Sequence, residues 1–172
     1  HTLREVLAEM MRAPLFPVPI TVLGAELEFR DFHAGRPIDL GGGLVVRTAA
    51  LNHPNGATGY RIEHAGRSLC YVTDTEHVPG RIDQNVVELA RGADLLVYDC
   101  TYTDAEFASH VGWGHSTWEE GVRLCEAAGV RRLAIFHHDP ARDDAAMDEI
   151  AAAAEERRPG TVVAMEGMTL FP

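Results

Sequence analysis

The stretch Arg132-Leu133-Ala134-Ile135-Phe136-His137-His138-Asp139-Pro140 decides how this chain is interpreted, because an apolar run typical of a buried strand ends there in two histidines and an aspartate. Adjacent side chains at the end of a strand point in opposite directions, so we expect one histidine of the pair to face a site. Asp139 can accept the ring N–H of a neighbouring histidine and orient it. Alternatively, Asp139 caps a helix that has Pro140 at its first position.

The same pattern occurs at two earlier positions in the chain. His53 follows a strand predicted over residues 44–51, and Asp74 follows an almost wholly apolar run over residues 69–73. A carboxylate in such a place loses its hydration unless it meets a cation or several hydrogen-bond donors. Taken singly, His53 is typical of a turn histidine and Asp74 of an Asx-turn. Together with His137 they make a metal site at successive strand ends the leading hypothesis.

A second pair of polar residues indicates acid–base chemistry. Asp99 ends another buried-type strand, and His115 lies in Gly114-His115-Ser116-Thr117, directly before a predicted helix. The N-terminus of that helix offers N–H groups to a phosphate, and the hydroxyls of Ser116 and Thr117 can add to them. The alternative is that Ser116 only caps the helix, in a Ser116-x-x-Glu119 capping box, and that His115 only packs.

The spacing of apolar residues predicts an α/β fold. Its first half is rich in hairpin-linked strands, and its second half alternates strand and helix, which indicates mixed sheets with helices packed outside them. The predicted elements are a helix at 2–12, strands at 23–32 and 44–51, a hairpin of 59–64 with 68–73, a helix at 83–91, a strand at 94–99, a helix from Ser116 to Gly129, a strand at 132–136, a helix at 142–157 and a strand at 161–165.

Composition limits the classes of partner. The 172 residues predict a single domain covering 1–172, and the net charge of −11 argues against non-specific binding of long nucleic acid. A small phosphoester remains open, because metal ions can supply local positive charge. No apolar run reaches the length of a membrane span and the start does not resemble a signal peptide, so we expect a cytoplasmic protein without a membrane partner. The three cysteines are expected to be buried, reduced thiols.

Taken together and in order, these motifs resemble the metallo-β-lactamase superfamily, in particular its phosphodiesterase-type branch of tRNase Z-like and PhnP-like hydrolases. The resemblance covers nearly all of the chain and rests on five segments in order. They are 51–54 with 59–61, 71–75, 98–101, 114–118 and 135–140. It implies the αββα sandwich of that family.

The resemblance also implies roles for the residues. His53, Asp74 and His137 resemble metal ligands, with Asp74 as the carboxylate that bridges two metals and His138 as the alternative to His137. Asp99 and His115 resemble the carboxylate–histidine pair that assists proton transfer or holds the scissile phosphate. The implied cofactors are two divalent ions, with zinc favoured and manganese or iron as alternatives, and the implied reaction is attack on phosphorus by a hydroxide that both metals activate.

One motif of the family is missing from this chain. We find no His-x-His-x-Asp-His segment, which supplies most of the remaining metal ligands, and we therefore expect the chain to represent the C-terminal two-thirds of a family member. A complementing N-terminal segment or a homodimer is then expected as a partner. The chain does not begin with Met, which leaves room for a natural start upstream.

The function predicted from these features is metal-dependent hydrolysis of a small phosphodiester, for example a cyclic nucleotide. A lactone or thioester hydrolase of the same fold is the first alternative. A non-catalytic fragment or binding module is the second, because the first metal motif is absent.

Overall fold

A computed structural model describes residues Thr2–Pro172, which form two compact units that divide after His33. In the first unit, helix α1 spans Leu3–Met10 and begins with a reciprocal capping box between Thr2 and Glu5. A short 3₁₀ turn, Ile20–Val22, follows farther along the unit.

The strand predicted at 23–32 does not form, and that prediction was wrong. These residues carry no strand assignment and most of them are exposed. Alternation of apolar and polar residues fixes which way side chains point, but a strand also needs a neighbour to accept and donate its backbone hydrogen bonds. Within residues 2–172 no strand pairs with this segment.

The second unit, residues 34–172, is built on one mixed sheet of seven strands in the spatial order β1-β2-β3-β4-β5-β6-β7. The strands are β1 Ile38–Asp39, β2 Val45–Leu51, β3 Ala57–His64, β4 Arg67–Val72, β5 Leu95–Asp99, β6 Arg132–Phe136 and β7 Val162–Val163. The helices of this unit are α2 Gln84–Ala90, α3 Asp104–Phe107, α4 Trp118–Ala128 and α5 Asp144–Arg157. The predicted strands 44–51, 94–99 and 132–136 are therefore confirmed, and the last strand is shorter than predicted.

The two halves of the sheet are connected differently. Strands β1 to β4 are antiparallel neighbours joined by hairpins, whereas β4 to β7 run parallel and are joined through helices. The β3–β4 turn has φ of +49° at Ala65 and +75° at Gly66, as a two-residue type I′ hairpin requires. Thus the hairpin predicted around Ala65-Gly66-Arg67 is confirmed.

The register of the parallel half brings three strand ends together. Val72 of β4 pairs with Tyr98 of β5, and Asp99 of β5 pairs with Phe136 of β6. The residues that follow these strands therefore emerge at the same edge of the sheet, which is where open parallel sheets gather ligands.

Helices α2, α4 and α5 cover one face of the sheet and build the core with it. Tyr98, Leu96, Leu133 and Ile135 are among the fully buried side chains. The three cysteines are free and buried, as predicted, and the loss of hydration raises the pKa of Cys70 to about 11. No helix among residues 2–172 combines the length and apolar character that crossing a membrane requires.

Two predicted helix starts are shifted. Helix α4 is capped by Thr117 rather than Ser116, since the Thr117 hydroxyl accepts the Glu120 N–H at 3.1 Å and the Ser116 hydroxyl is used elsewhere. Helix α5 is capped by Asp143 rather than Asp139.

Asp139 has a different local role. Its Oδ1 accepts the N–H of Ala141 at 2.8 Å, which closes an Asx-turn before the helix begins.

Candidate functional site

Three of the predicted residues meet at the shared strand edge. Atoms of Asp74, His115 and His137 that could bind a metal lie within 4.8 Å of one another, and Nε2 of His137 is 3.8 Å from Oδ1 of Asp74. Asp74 follows β4, His137 follows β6, and His115 comes from the loop that leads into α4. Sequence reasoning placed Asp74 and His137 in the metal set and His115 in the catalytic pair, so the structure joins members of both sets.

The backbone is unusual at two of these residues. Asp74 and His137 have φ of +58° and +60°, in the left-handed region that side chains other than glycine seldom adopt. Such conformations cost roughly 1–3 kcal/mol each and persist where the surroundings fix them, often at functional sites. Both lie directly beyond parallel strands, where the chain turns so that its side chain enters the cluster.

Asp99 is the centre of the hydrogen-bond network beneath the cluster. It is fully buried, at 0% exposed, and both of its oxygens accept hydrogen bonds. Its donors are the N–H of Asp74 at 2.9 Å, of Thr75 at 3.3 Å, of Thr101 at 3.3 Å and of Ser116 at 3.4 Å, the Thr101 hydroxyl at 2.8 Å and His115 Nδ1 at 3.0 Å. These donors account for both oxygens of the buried carboxylate, so neither is left without a hydrogen-bond partner.

The same network sets the tautomers of two histidines. Because Nδ1 of His115 faces the Asp99 carboxylate, Nδ1 carries the proton and Nε2 keeps its lone pair. Nδ1 of His137 lies 3.1 Å from the Thr101 hydroxyl, whose own proton points to Asp99 Oδ1 or to the His137 carbonyl at 2.7 Å. Both imidazoles are thus oriented through Nδ1, as metal-binding histidines are.

His53 lies beside the cluster and outside it. Its ring centroid is 6.2 Å from that of His115, and its Nδ1 accepts the Asn55 N–H at 3.3 Å. The ring packs on Gly114, where an added Cβ would lie 2.7 Å from Nε2 of His53. Gly114 also has a φ of +88°, so close approach and backbone conformation both require glycine there.

The hydroxyls of Ser116 and Thr117 do not reach the cluster. Both residues are fully buried. Ser116 Oγ lies 2.8 Å from Nδ1 of His77 and 3.0 Å from the Tyr98 hydroxyl, and Thr117 Oγ1 donates to Asp104 at 2.7 Å. These internal partners account for both side chains, in contrast to the expected contact with substrate.

Of the two adjacent histidines, His137 joins the cluster and His138 turns away. Nε2 of His138 lies 2.9 Å from the carbonyl oxygen of Ala164, near β7. The expectation that one of the pair faces the site therefore agrees with the geometry.

Two residues with clear structural roles at the site were missed. Thr101 lies two positions after Asp99, on the same face of the extended chain, and that spacing could have revealed it. Glu76 accepts backbone N–H groups from Gly112 at 2.7 Å and Gly114 at 2.9 Å. Nothing in the sequence indicates that pairing, because both donors are backbone groups of a distant loop.

The donor set fits a divalent metal ion. Two imidazoles and a carboxylate are ligands that zinc, manganese and iron accept, and the 3.8 Å between His137 Nε2 and Asp74 Oδ1 suits two ligands of one ion. Three protein ligands with further open positions are also typical of catalytic rather than structural zinc sites.

A mixed sheet with a His/Asp cluster beyond its parallel strands places this chain among α/β folds with a candidate metal site. Comparison with known proteins identifies the family: residues 3–138 match the model of the beta-lactamase superfamily domain, and the chain belongs to that family. The predicted membership of the metallo-β-lactamase superfamily, in its phosphodiesterase branch, is confirmed, and so is the predicted fold class.

Relatives and solved structures agree with this assignment. The chain is 37% identical over 105 residues to a ribonuclease Z of Brevibacillus brevis, a match that covers 58% of this chain and 31% of the relative. The metallo-β-lactamase fold protein YhfI of Bacillus subtilis superposes with a TM-score of 0.65 at 22% identity, covering 80% of this chain and 53% of that one. The short form of human tRNase Z superposes with a TM-score of 0.57 at 21% identity, covering 77% and 44%.

The chain spans less than half the length of the curated relatives it matches, between 30% and 42% for the first three. Metal binding is a property of the family, and Asp74, His115 and His137 are residues of the described part of this chain that could hold a metal ion.

Proposed function

We propose that this protein is a metal-dependent hydrolase of phosphodiesters, acting on a small nucleotide substrate. The observation that carries the proposal is the cluster of Asp74, His115 and His137 above the buried Asp99. The family assignment supports it, and so does the resemblance to proteins named ribonuclease Z, which act on a phosphodiester backbone.

In this proposal Asp74 and His137 hold divalent metal, with His53 as a further ligand from the neighbouring loop. Bound divalent ions of this kind supply positive charge for a reacting phosphate and lower the pKa of water. Thr101 keeps Nδ1 of His137 protonated, so that its Nε2 is directed at the metal. The favoured ion is zinc, and manganese or iron are the alternatives.

His115 is the proposed proton donor to the leaving group: its Nε2 first takes up a proton from solvent and then passes that proton to the leaving oxygen. Asp99 accepts the Nδ1–H bond and orients the ring, and its complete burial keeps it away from substrate. We therefore assign Asp99 as a positioning residue and His115 as the catalytic residue. If His115 instead holds the metal, then its removal reduces metal content as well as activity, which makes the two roles separable.

The small size of the substrate follows from electrostatics. A net charge of −11 repels a polyanion, while the positive charge of bound metal acts only at short range. A short nucleotide presents one or two phosphates to the cluster and leaves few others facing an acidic surface.

The proposal is tested on the full-length natural protein by metal analysis together with hydrolysis of bis(p-nitrophenyl) phosphate, a cyclic nucleotide, a short RNA and a lactone. We expect hydrolysis of the first two to depend on added zinc or manganese. The Asp74→Asn and His137→Ala variants should lose metal and activity together, whereas His64→Ala, which changes an exposed histidine outside the site, should retain both. His115→Ala should keep its metal and lose about 10²–10⁴-fold in rate, as for a general acid.

Other results would redirect the proposal. Hydrolysis of the lactone alone would assign a different reaction to the same fold. Faster cleavage of RNA than of the cyclic nucleotide would overturn the assigned substrate size. If both Asp74→Asn and His137→Ala keep full metal content and activity, the cluster takes no part in the mechanism.

A further inference from the structure

Trp113 is a large apolar side chain that the structure leaves in solvent, two residues before His115 of the cluster. It is 62% exposed, whereas Trp118, the other tryptophan of the chain, is 8% exposed in the core. A scattered exposed apolar residue needs no explanation. Trp113 differs because the loop that carries it is held in place and because Gly114 and His115 follow it directly.

The loop of residues 110–114, here called the rim loop, is anchored by Glu76. One oxygen of the Glu76 carboxylate accepts the N–H of Gly112 at 2.7 Å and of Gly114 at 2.9 Å, one on each side of Trp113. The backbone of Glu76 is itself tied to Asn52, since its N–H donates to the Asn52 carbonyl at 2.7 Å and its carbonyl accepts the Asn52 side-chain amide at 2.8 Å. The rim loop is thereby fastened to the loop that carries His53.

A row of aromatic rings supports Trp113 from within. Its ring meets His110 edge-on at 5.0 Å between centroids, and His110 stacks on the buried Tyr102 at 4.1 Å. Tyr102 in turn meets the His115 ring at 6.3 Å. The backbone N–H of Trp113 also donates to the His110 carbonyl at 3.1 Å. Because the backbone of Trp113 is fixed by hydrogen bonds and its ring packs against His110, less freedom remains to be lost when a ligand binds the ring.

The chemistry around the indole indicates its occupant. A flat aromatic ring beside a phosphodiester-cleaving cluster suits a nucleobase, since every base has a π-face that can stack. The acidic surface disfavours a long strand, so one base attached to the reacting phosphate is the best match. We propose that Trp113 is the stacking platform for the nucleobase of the substrate and that Glu76 is the positioning residue that holds this platform beside the cluster. This inference rests on the proposed function and adds the base as the recognised group.

The test compares binding of AMP and ribose 5-phosphate to the metal-loaded full-length protein by calorimetry, with tryptophan fluorescence as a second readout. Both ligands carry the same 5′-phosphate on a ribose, and only AMP carries a base. Stacking on an aromatic residue contributes about 1–3 kcal/mol per base, so AMP should bind about 5- to 150-fold more tightly. Trp113→Ala should remove this preference, and Trp113→Phe should keep most of it.

Val111→Ala is the matched control, because Val111 lies in the same loop and is similarly exposed, at 58%. It should leave the AMP preference unchanged. Equal loss of preference in Val111→Ala and Trp113→Ala would show that a general apolar surface, rather than the indole, is responsible, and would overturn the proposal.

The role of Glu76 is tested by the same ratio. Glu76→Ala removes the acceptor of both loop N–H groups and should reduce the AMP preference toward one, while Glu76→Gln keeps a carbonyl oxygen and should restore it. A purely structural role would lower the unfolding midpoint of Glu76→Ala and leave the ratio of the two dissociation constants unchanged, which would contradict positioning.

The outcomes distinguish failure of this inference from failure of the proposed function on which it rests. Equal binding of AMP and ribose 5-phosphate by a protein that hydrolyses bis(p-nitrophenyl) phosphate would overturn the base platform alone. Absence of binding by either ligand, together with absence of hydrolysis, would overturn the proposed function and the platform with it.

Discussion

The antiparallel and parallel halves of the sheet differ in where their charged side chains lie and in how deeply these are buried. In the antiparallel half, charged side chains lie along the strands and pair with one another at a partly exposed surface. Arg47 of β2 and Arg61 of β3 both donate to Glu63, at 3.0 Å and 2.8 Å. In the parallel half the strand interiors are mostly apolar, arginines stand at the first positions of β4 and β6, and the fully buried Asp99 is the last residue of β5.

This difference has a geometric cause. An antiparallel hairpin returns its chain at each end, so successive strand ends alternate between the two edges of the sheet. Parallel strands deliver every carboxyl end to one edge, and the polar residues after β4, β5 and β6 converge there. Where these polar residues converge, neighbouring loops exclude water from them and supply hydrogen-bond donors in its place. The candidate site is therefore a consequence of the change from antiparallel to parallel pairing at β4.

The largest effect is expected from Asp99→Ala. It leaves several buried N–H donors, and the His115 ring, without an acceptor, and such losses cost of order 3–5 kcal/mol. Glu63→Ala in the antiparallel half removes the partly exposed ion pairs with Arg47 and Arg61 and should cost about 1 kcal/mol. Urea unfolding followed by circular dichroism measures both.

A similar loss in the two variants would contradict the comparison. It would show that the buried carboxylate in the parallel half contributes no more to stability than the partly exposed one in the antiparallel half.

A smaller effect is expected from Gly114→Ala, with Gly112→Ala as its matched control. Both glycines have φ of +88°, so both variants carry the same left-handed backbone penalty of about 1 kcal/mol. Only at Gly114 does the new Cβ run into the His53 ring, which adds about 1–3 kcal/mol of overpacking. The difference between the unfolding free energies of the two variants isolates the contact with His53. Equal values would mean that the His53 loop moves aside without a cost in free energy.

Sequence patterns predicted the parallel half well. Short apolar runs bounded by polar residues give buried strands, and His137, Asp74 and Asp99 could be located because each ends such a run. The resemblance to a known family then indicated which residues meet. The hairpin at Ala65 follows from the same kind of local signal.

What the sequence could not predict depends on distant partners. The segment 23–32 has a strand pattern, but pairing is a property of two segments and its partner cannot be read from one of them. The burial of Ser116 depends on His77 and Tyr98, which lie far apart in the chain. Glu76 holds the rim loop by accepting hydrogen bonds from two backbone N–H groups, and no pattern of side chains in the sequence reveals such bonds.

The smallest effect that still distinguishes the halves is the response to acid. Burial works to raise the pKa of Glu106, but hydrogen bonds from Arg142 and Thr103 outweigh it and hold the pKa at about 2. In Glu63 burial is likewise outweighed by Arg61 and Arg47, and the pKa is lowered. In both cases the folded pKa lies below the unfolded one, so the stabilisation is complete above a pH of about 4.5 and is lost as the pH falls toward the folded pKa.

Glu106→Gln removes this protonation difference and should flatten the fall in unfolding free energy between pH 5 and pH 3, roughly, more than Glu63→Gln does. The Glu106 side chain is 42% exposed, so solvent screening keeps the difference below about 1 kcal/mol. Urea unfolding at several pH values measures the slope for each variant. An unchanged slope in Glu106→Gln would mean that Glu106 takes up no additional proton on unfolding, and that the pair with Arg142 positions its loop without contributing to acid sensitivity.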